Sequence, residues 1–181
     1  MPIIPAPGIV LAVNSGDSPE DQLIRLGSAL LGEPNLDNHI AVLDHKDAKG
    51  TWWALEGRPG GVGWADATRY LTGKYTISNQ KQILTNQQRA GICVTMQRLI
   101  NTQYDWDAIV GDGFRDLHLP VLPDPWAEKV GKNGIVAGHV VCSSAAVFAY
   151  AQNHAAYPTY TDAAHEEPSD WVKFIMANSY Q

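Results

Sequence analysis

The chain has 181 residues, 45% of them hydrophobic and 18% charged, with a formal net charge of −6. That length suits one domain over residues 1–181 with a substantial core, and the acidic balance without any basic run argues against a nucleic-acid-binding face. No apolar run approaches about 18 residues, so no membrane span is expected.

Met1 to Gly8 is broken by Pro2, Pro5 and Pro7 and lacks the charged region of a signal peptide. Two cysteines, Cys93 and Cys142, are too few for a disulfide framework. Both features lead to the expectation of a cytoplasmic protein. Ile9 to Val13 reads as a short strand. Ser18 caps an expected helix with Pro19 at its first position; Leu23, Leu26 and Leu30 share its apolar face, and Gly32 ends it.

His39 to Leu43 and Thr51 to Glu56 are expected strands, with the turn-like residues around Lys46 to Lys49 between them. If His45 and Gly50 close a four-residue loop, His39 stands directly opposite Glu56. Such partners have Cβ atoms about 5 Å apart, close enough for a carboxylate to hold an imidazole. The glycine-rich segment Gly57 to Gly63 lacks the endings of a P-loop or a dinucleotide fingerprint, and is expected to turn the chain and bring backbone close to a strand or ligand.

Trp64 to Leu71 is expected as a short helix or turn, and Lys74 to Ile77 as a strand. Thr85 to Gln88 is a capping-box pattern opening a helix to about Asn101, with Ala90, Cys93, Met96, Leu99 and Ile100 inward. Cys93 is thereby a core residue. Tyr104 to Asp107 is an aromatic turn leading to Ala108 to Phe114. Residues 118–138, with Pro120, Pro123 and Pro125, form a long irregular stretch. Ser169 is the expected cap of a last helix from Asp170 to Asn178.

The segment from His139 to Tyr150 carries the chemistry. β-Branched residues bring the backbone to Cys142 in extended form, and from Ser143 the chain turns helical, with Asn153 as the stop. A cysteine at such a junction meets free backbone N–H groups and the positive end of a helix dipole, both of which favour the nucleophilic thiolate. The plain alternative is a small residue packing a helix start. Acyl chemistry by cysteine needs a base beside the sulfur and a group to orient the base; His39 and Glu56 fit these roles. His45 is the rival histidine, on the same strand face as His39 if that face is regular. His118, His154 and His165 lie in expected loops. A zinc site built from His39, His45, His139 and Cys142 lacks the closely paired ligands of structural zinc sites, so no metal and no cofactor are expected.

The order histidine, acid, cysteine resembles the circularly permuted NlpC/P60 superfamily, papain-like proteins that include YiiX-like hydrolases and the lecithin-retinol acyltransferase-like group. Asn38 to Leu43 is similar to the family's histidine strand. Trp53 to Val62 is similar to its acid-bearing segment, Tyr104 to Trp106 to its Tyr-Asp-aromatic element, and Val141 to Val147 to its Cys-Ser-Glu segment. Together they cover roughly residues 36–150. Ser144 departs from the usual Glu, and Ala41 from the usual Gly.

The resemblance implies an α+β, circularly permuted papain-like fold, a small antiparallel sheet packed against helices. It implies a cysteine hydrolase cleaving an amide bond in a peptide or peptidoglycan-type substrate, with Cys142 as nucleophile, His39 as base and Glu56 as orienter. Trp52, Trp53, Tyr104 and Trp106 are candidate walls of the substrate groove. The expected partners are small peptide, amide or acyl substrates. Two other functions stand beside this one: a lipid acyl hydrolase or acyltransferase of the same superfamily, and a non-catalytic binding module on a papain-like scaffold.

Overall fold

The structure is a computed structural model that describes residues 3–13, 39–58, 60–72, 76–104, 139–159 and 168–178. Within them lie seven strands: β1 (Val10–Val13), β2 (His39–Lys46), β3 (Trp52–Arg58), β4 (Gly61–Asp66), β5 (Thr76–Ser78), β6 (Gln103–Tyr104) and β7 (His139–Val140). Four helices accompany them: α1 (Thr68–Leu71), α2 (Asn86–Arg98), α3 (Cys142–Gln152) and α4 (Pro168–Asn178). The architecture is α+β. Its main sheet is antiparallel with the order β4-β3-β2-β1-β5, and β6 and β7 form a separate parallel pair. The expected helix after Ser18, the Ala108–Phe114 segment and the 118–138 stretch lie outside the described residues.

The centre of the sheet is buried on both sides, which is why β1 and the first part of β2 read as nearly continuous apolar runs. Val10 and Ala12 on β1, Ile40 and Val42 on β2 and Leu55 on β3 meet the three longer helices. The alternate residues Ile9, Leu11, Val13, Ala41, Leu43 and Ala54 meet Ala67 and Tyr70 on the other side, where α1 lies. Helix α3 presents buried residues all round, from Cys142 to Val147 and at Ala149 and Tyr150. A helix of that kind belongs inside the protein, and its alanines let it lie close to the sheet.

Tyr150 anchors α3 to the first strand. Its hydroxyl donates to the Gly8 carbonyl at 2.6 Å and accepts from Asn79 Nδ2 at 2.8 Å, while Asn79 Oδ1 accepts from Val10 N–H at 2.8 Å. Trp171 of α4, fully buried, packs edge-on against Tyr150 at 5.2 Å and donates its indole N–H to the Ser143 carbonyl at 3.3 Å. The start of α3 is thus held by a side chain from another helix.

Several local expectations change in the folded chain. Trp64 to Asp66 extends β4, so that only Thr68–Leu71 is helical. The edge of the sheet opposite β4 is set by β5 at Thr76–Ser78, where it pairs with β1. Thr85 and Gln88 make the full capping box, but α2 ends at Arg98. Asn101 then takes a left-handed φ of 69°, which terminates the turn. Ala90 is exposed, and Ile92 takes an inward place beside Cys93 and Met96. The last helix begins at Pro168 rather than after a Ser169 cap; proline is well suited to a first turn, where its missing N–H has no intrahelical partner to lose.

The hairpin register also differs. Lys46 pairs with Trp52, leaving the five residues Asp47 to Thr51 in the turn, closed by the Asp47 N–H to the Thr51 carbonyl at 2.9 Å. Asp47 explains the longer loop: its carboxylate accepts from the N–H groups of Lys49 and Thr51, both at 2.9 Å, and from the Trp53 indole at 3.1 Å. A bulge between Leu43 and His45 then shifts the ladder by one residue, so that Glu56 faces Ala41 instead of His39. Continued without the bulge, the pairing at Lys46 and Trp52 would set Glu56 opposite Val42, on the other face from His39. The bulge returns both residues to one face, in diagonal positions that long side chains can bridge.

Two glycines are required by close approaches. Gly61 has φ 109°, and a Cβ there would lie 2.5 Å from the Thr102 carbonyl oxygen. Gly91 on α2 faces Asn153 at the end of α3; a Cβ would fall 1.8 Å from its Oδ1 and 2.7 Å from its Cγ. Asn153 is fixed there by its Nδ2, which donates to Thr95 Oγ1 at 3.1 Å and to the Ala149 carbonyl at 2.8 Å. Gly91→Ala is therefore expected to destabilise the fold by about 1–3 kcal/mol through overpacking. Adding Asn153→Ala should recover part of the loss in thermal melts. A Gly91→Ala protein as stable as the parent would show that the two helices separate freely.

Candidate active site

The site is assembled at the end of the sheet where β2 begins. Val141, extended at φ −96° and ψ 166°, caps α3 and places Cys142 at its first helical position. Valine has no acceptor for a capping box, so only the return half is made: Ser144 Oγ accepts from the Val141 N–H at 3.1 Å. Ser144 stands where the family resemblance expects Glu, and it makes the bond that a glutamate at that helical position makes to the capping residue.

Cys142 is 4% exposed, His39 6% and Glu56 3%, so the three groups sit beneath the surface and interact at low dielectric. His39 Nε2 donates to Glu56 Oε2 at 3.0 Å; an ionised carboxylate can only accept. That leaves the other ring nitrogen, Nδ1, for the sulfur, and the Cys142 side chain is hydrogen-bonded to the His39 ring. The His39 ring joins two groups that come from different layers. Glu56 shares its face with Ala41, away from α3, while the sulfur comes from α3 itself.

The electrostatics favour separated charge. Burial pulls the His39 pKa down, but the adjacent Cys142 sulfur and the Glu56 carboxylate override it and carry it from 6.5 to about 9. Burial raises the Cys142 thiol; the charge and hydrogen bond of His39, with the backbone N–H groups of Ile40 and Ser143, bring it below its ordinary value. Both directions favour a thiolate–imidazolium pair over a neutral thiol and imidazole. Burial also opposes ionised Glu56, yet hydrogen bonds and charge from His39 and then Arg58 hold it at about 2. Glu56 thus contributes stability that is present above the unfolded carboxylate value of 4.5 and lost as pH falls toward about 2.

Three further residues belong to this site that sequence reasoning did not select. Arg58 Nε donates to Glu56 Oε1, the Tyr70 hydroxyl donates to Oε2 at 2.7 Å, and Arg69 Nη2 lies 3.5 Å from Oε1. Arg58 had a local signal, two residues beyond Glu56 on the same strand face. Tyr70 and Arg69 had none, because α1 reaches Glu56 only through folding.

The other candidates are placed elsewhere. Trp52 and Trp53 stand at the opposite end of β3, roughly 10–14 Å along the strand from Glu56. Trp52 packs with the apolar cluster away from α3, and the Trp53 indole is bonded to Asp47. Tyr104 lies in β6 with its side chain outside the described residues, as is Trp106. His45 donates from Nδ1 to Asp44 Oδ2 at 2.8 Å and meets the Trp64 ring edge-on at 5.3 Å; it is far along β2 from the sulfur. His139 lies in β7, and His118 and His165 lie outside the described residues.

Cys93 is buried in α2, its Sγ directed at the Leu43 carbonyl at 3.6 Å. Burial, with Asp44 nearby, pushes its thiol up to about 12. The two cysteines are thus opposite in character. Among the described residues no group of three or more His, Cys, Asp or Glu is arranged to hold a metal ion, and no helix is long and apolar enough to cross a membrane. No protein-family model, curated protein or solved structure matches the chain.

Proposed function

We propose that the chain is a cysteine hydrolase that cleaves an amide bond of a peptide or peptidoglycan-type substrate on a permuted papain-like scaffold. The observation that carries this reading is the buried His39–Glu56 pair whose ring meets a cysteine at the first position of a helix. A cysteine serving only to pack the helix start would need no ion-paired histidine at its sulfur.

The Cys142 thiolate attacks the carbonyl carbon, and the electron pair of the C=O bond moves to oxygen. The Cys142 backbone N–H, at the helix start where first-turn donors point outward, is the donor for that oxyanion; such a donor is worth about 2.7–4 kcal/mol of barrier in other acyl-transfer enzymes. As the intermediate collapses, the C–N bond breaks and His39 Nδ1 gives its proton to the leaving amine. A thioester remains. Neutral His39 then takes a proton from water, the resulting hydroxide attacks the thioester, and the thiolate departs beside a reprotonated imidazole. Glu56 stays ionised throughout and holds Nε2–H.

Thiol reactivity tests the reading without knowledge of the substrate. Cys142 should be alkylated by iodoacetamide at neutral pH, with a rate that holds level down to its depressed pKa. Cys93 in the folded protein should remain unmodified, as burial pushes its thiol up to about 12. Peptide mass spectrometry assigns the label. Equal, slow labelling of both cysteines, rising only in alkali, would remove the nucleophile.

A further inference from the structure

Glu56 has more donors than it needs to orient one imidazole. The Tyr70 hydroxyl accepts from Arg58 Nη2 at 2.7 Å and from Arg69 Nη2 at 2.5 Å. With two donors already on its oxygen, its single proton is directed to Glu56 Oε2. His39 Nε2 uses the same oxygen, and Arg58 Nε donates to the other. Donors from β2, β3 and α1 therefore surround one buried carboxylate, and Arg58 touches both Glu56 and the tyrosine that supports it.

We propose that Arg58 is a positioning residue for the nucleophile: it binds the Glu56 oxygen that His39 does not use and completes a row of alternating charge, Arg58–Glu56–His39–Cys142, that keeps the Cys142 sulfur ionised. This rests on Cys142 being the nucleophile. With Arg58 present the row carries no net charge. Without it, two buried anions share one imidazolium, with only the more exposed Arg69 left 3.5 Å from Glu56, and burial penalises the excess. The relief is a proton on one of the anions, and an ordinary thiol binds a proton far more tightly than a carboxylate does. The sulfur is therefore the group that is protonated. Arg58 reaches it only through Glu56 and His39.

Among the described residues, other charged side chains on the neighbouring elements have these places. Arg69 is more than half exposed and stands off Glu56 at 3.5 Å, stacked on the Tyr70 ring at 4.6 Å. On α4, Asp170 pairs with Lys173 at 3.7 Å, and on α2, Arg89 Nη1 donates to the Pro7 carbonyl at 3.0 Å, while Arg98 lies at the last turn.

The test is the pH dependence of Cys142 alkylation by iodoacetamide in the full chain, comparing the parent with Arg58→Met, Arg58→Lys and Tyr70→Phe. Arg58→Met should move the acid limb upward by roughly one pH unit, a charge contact acting at one remove. On that limb the rate falls about tenfold at fixed pH. Arg58→Lys should restore most of it, since a positive charge returns. Tyr70→Phe should shift the limb the same way by less, because the Arg58 Nε contact to Glu56 survives. An Arg58→Met protein with the parent's melting transition and the parent's acid limb overturns the proposal. If Arg58→Met does not fold, Tyr70→Phe decides, and an unmoved limb there overturns it equally. A parent protein whose Cys142 titrates as an ordinary thiol would instead remove the nucleophile reading itself.

Discussion

Replacing Cys142 with alanine will abolish turnover of an acyl substrate while leaving the fold in place. Alanine keeps a small side chain at the first position of α3, where the neighbours Ala145 and Ala146 are of the same size. The capping bond from Val141 N–H to Ser144 Oγ is untouched, as is the Trp171 contact to the Ser143 carbonyl. The chemistry is lost because alanine carries no sulfur to form the acyl-enzyme. Removal of the nucleophile from a comparable catalytic unit costs on the order of 10⁶ in kcat. Loss of activity with unchanged circular dichroism and melting is the expected result, together with loss of the iodoacetamide-reactive thiol. Cys93→Ala should behave in the opposite way, retaining activity and losing some stability to a cavity beneath β2. If Cys93→Ala is the inactive variant, the nucleophile is the other sulfur.

Glu56→Gln is expected to be the next largest effect, and it should lower both activity and stability. An amide offers one oxygen where the carboxylate offers two. The site presents donors from His39, Tyr70 and Arg58, so the new NH₂ must face one of them. Leaving a buried donor unpaired costs about 1–3 kcal/mol of stability. In a serine triad the corresponding change costs about 10⁴ in kcat. A smaller loss, about 10²-fold or more, is expected here, because an activated cysteine is already a competent nucleophile.

The pair should act as a unit. His39→Ala with Glu56→Gln should be little slower than His39→Ala alone, since an orienter without a base has nothing to orient. His45→Ala should have a small, independent effect, in keeping with its bond to Asp44 and its contact with Trp64. A damaging His45→Ala beside a silent Glu56→Gln would assign the orienting role to a histidine. Rates on an amide or ester probe for the single and double variants decide between these outcomes.

The sequence by itself determined the parts of this protein that depend on neighbours in the chain. The apolar runs at Ile9 to Val13 and at His39 to Leu43 marked strands; that both are central, with burial on both faces, came from the fold. Thr85 and Gln88 marked the start of α2, and Asn153 the end of α3, because caps act over three or four residues. The same local logic set Cys142 at a strand–helix junction and Cys93 on a buried helical face. It also singled out His39 and Glu56 by type and spacing, although the register that suggested their contact was two residues out.

Tertiary structure decided what joins those parts. The five-residue turn built on Asp47 and the bulge before His45 each changed the register, and only their combination left His39 and Glu56 on one face. A bulge is set by what the strand packs against. Here Asp44, at the bulge, is buried and bonded to Gln97 of α2 at 2.8 Å, a partner 53 residues away. Arg58, Tyr70 and Arg69 gather on Glu56 for the same reason. A buried carboxylate must collect donors from whatever the fold brings to it, and no local pattern records that α1 arrives on the far side of the sheet. The downward pull on the Cys142 thiol is decided at this level: burial raises it, and the charge and hydrogen bond of the buried His39 imidazole, itself joined to Glu56, bring it below its ordinary value.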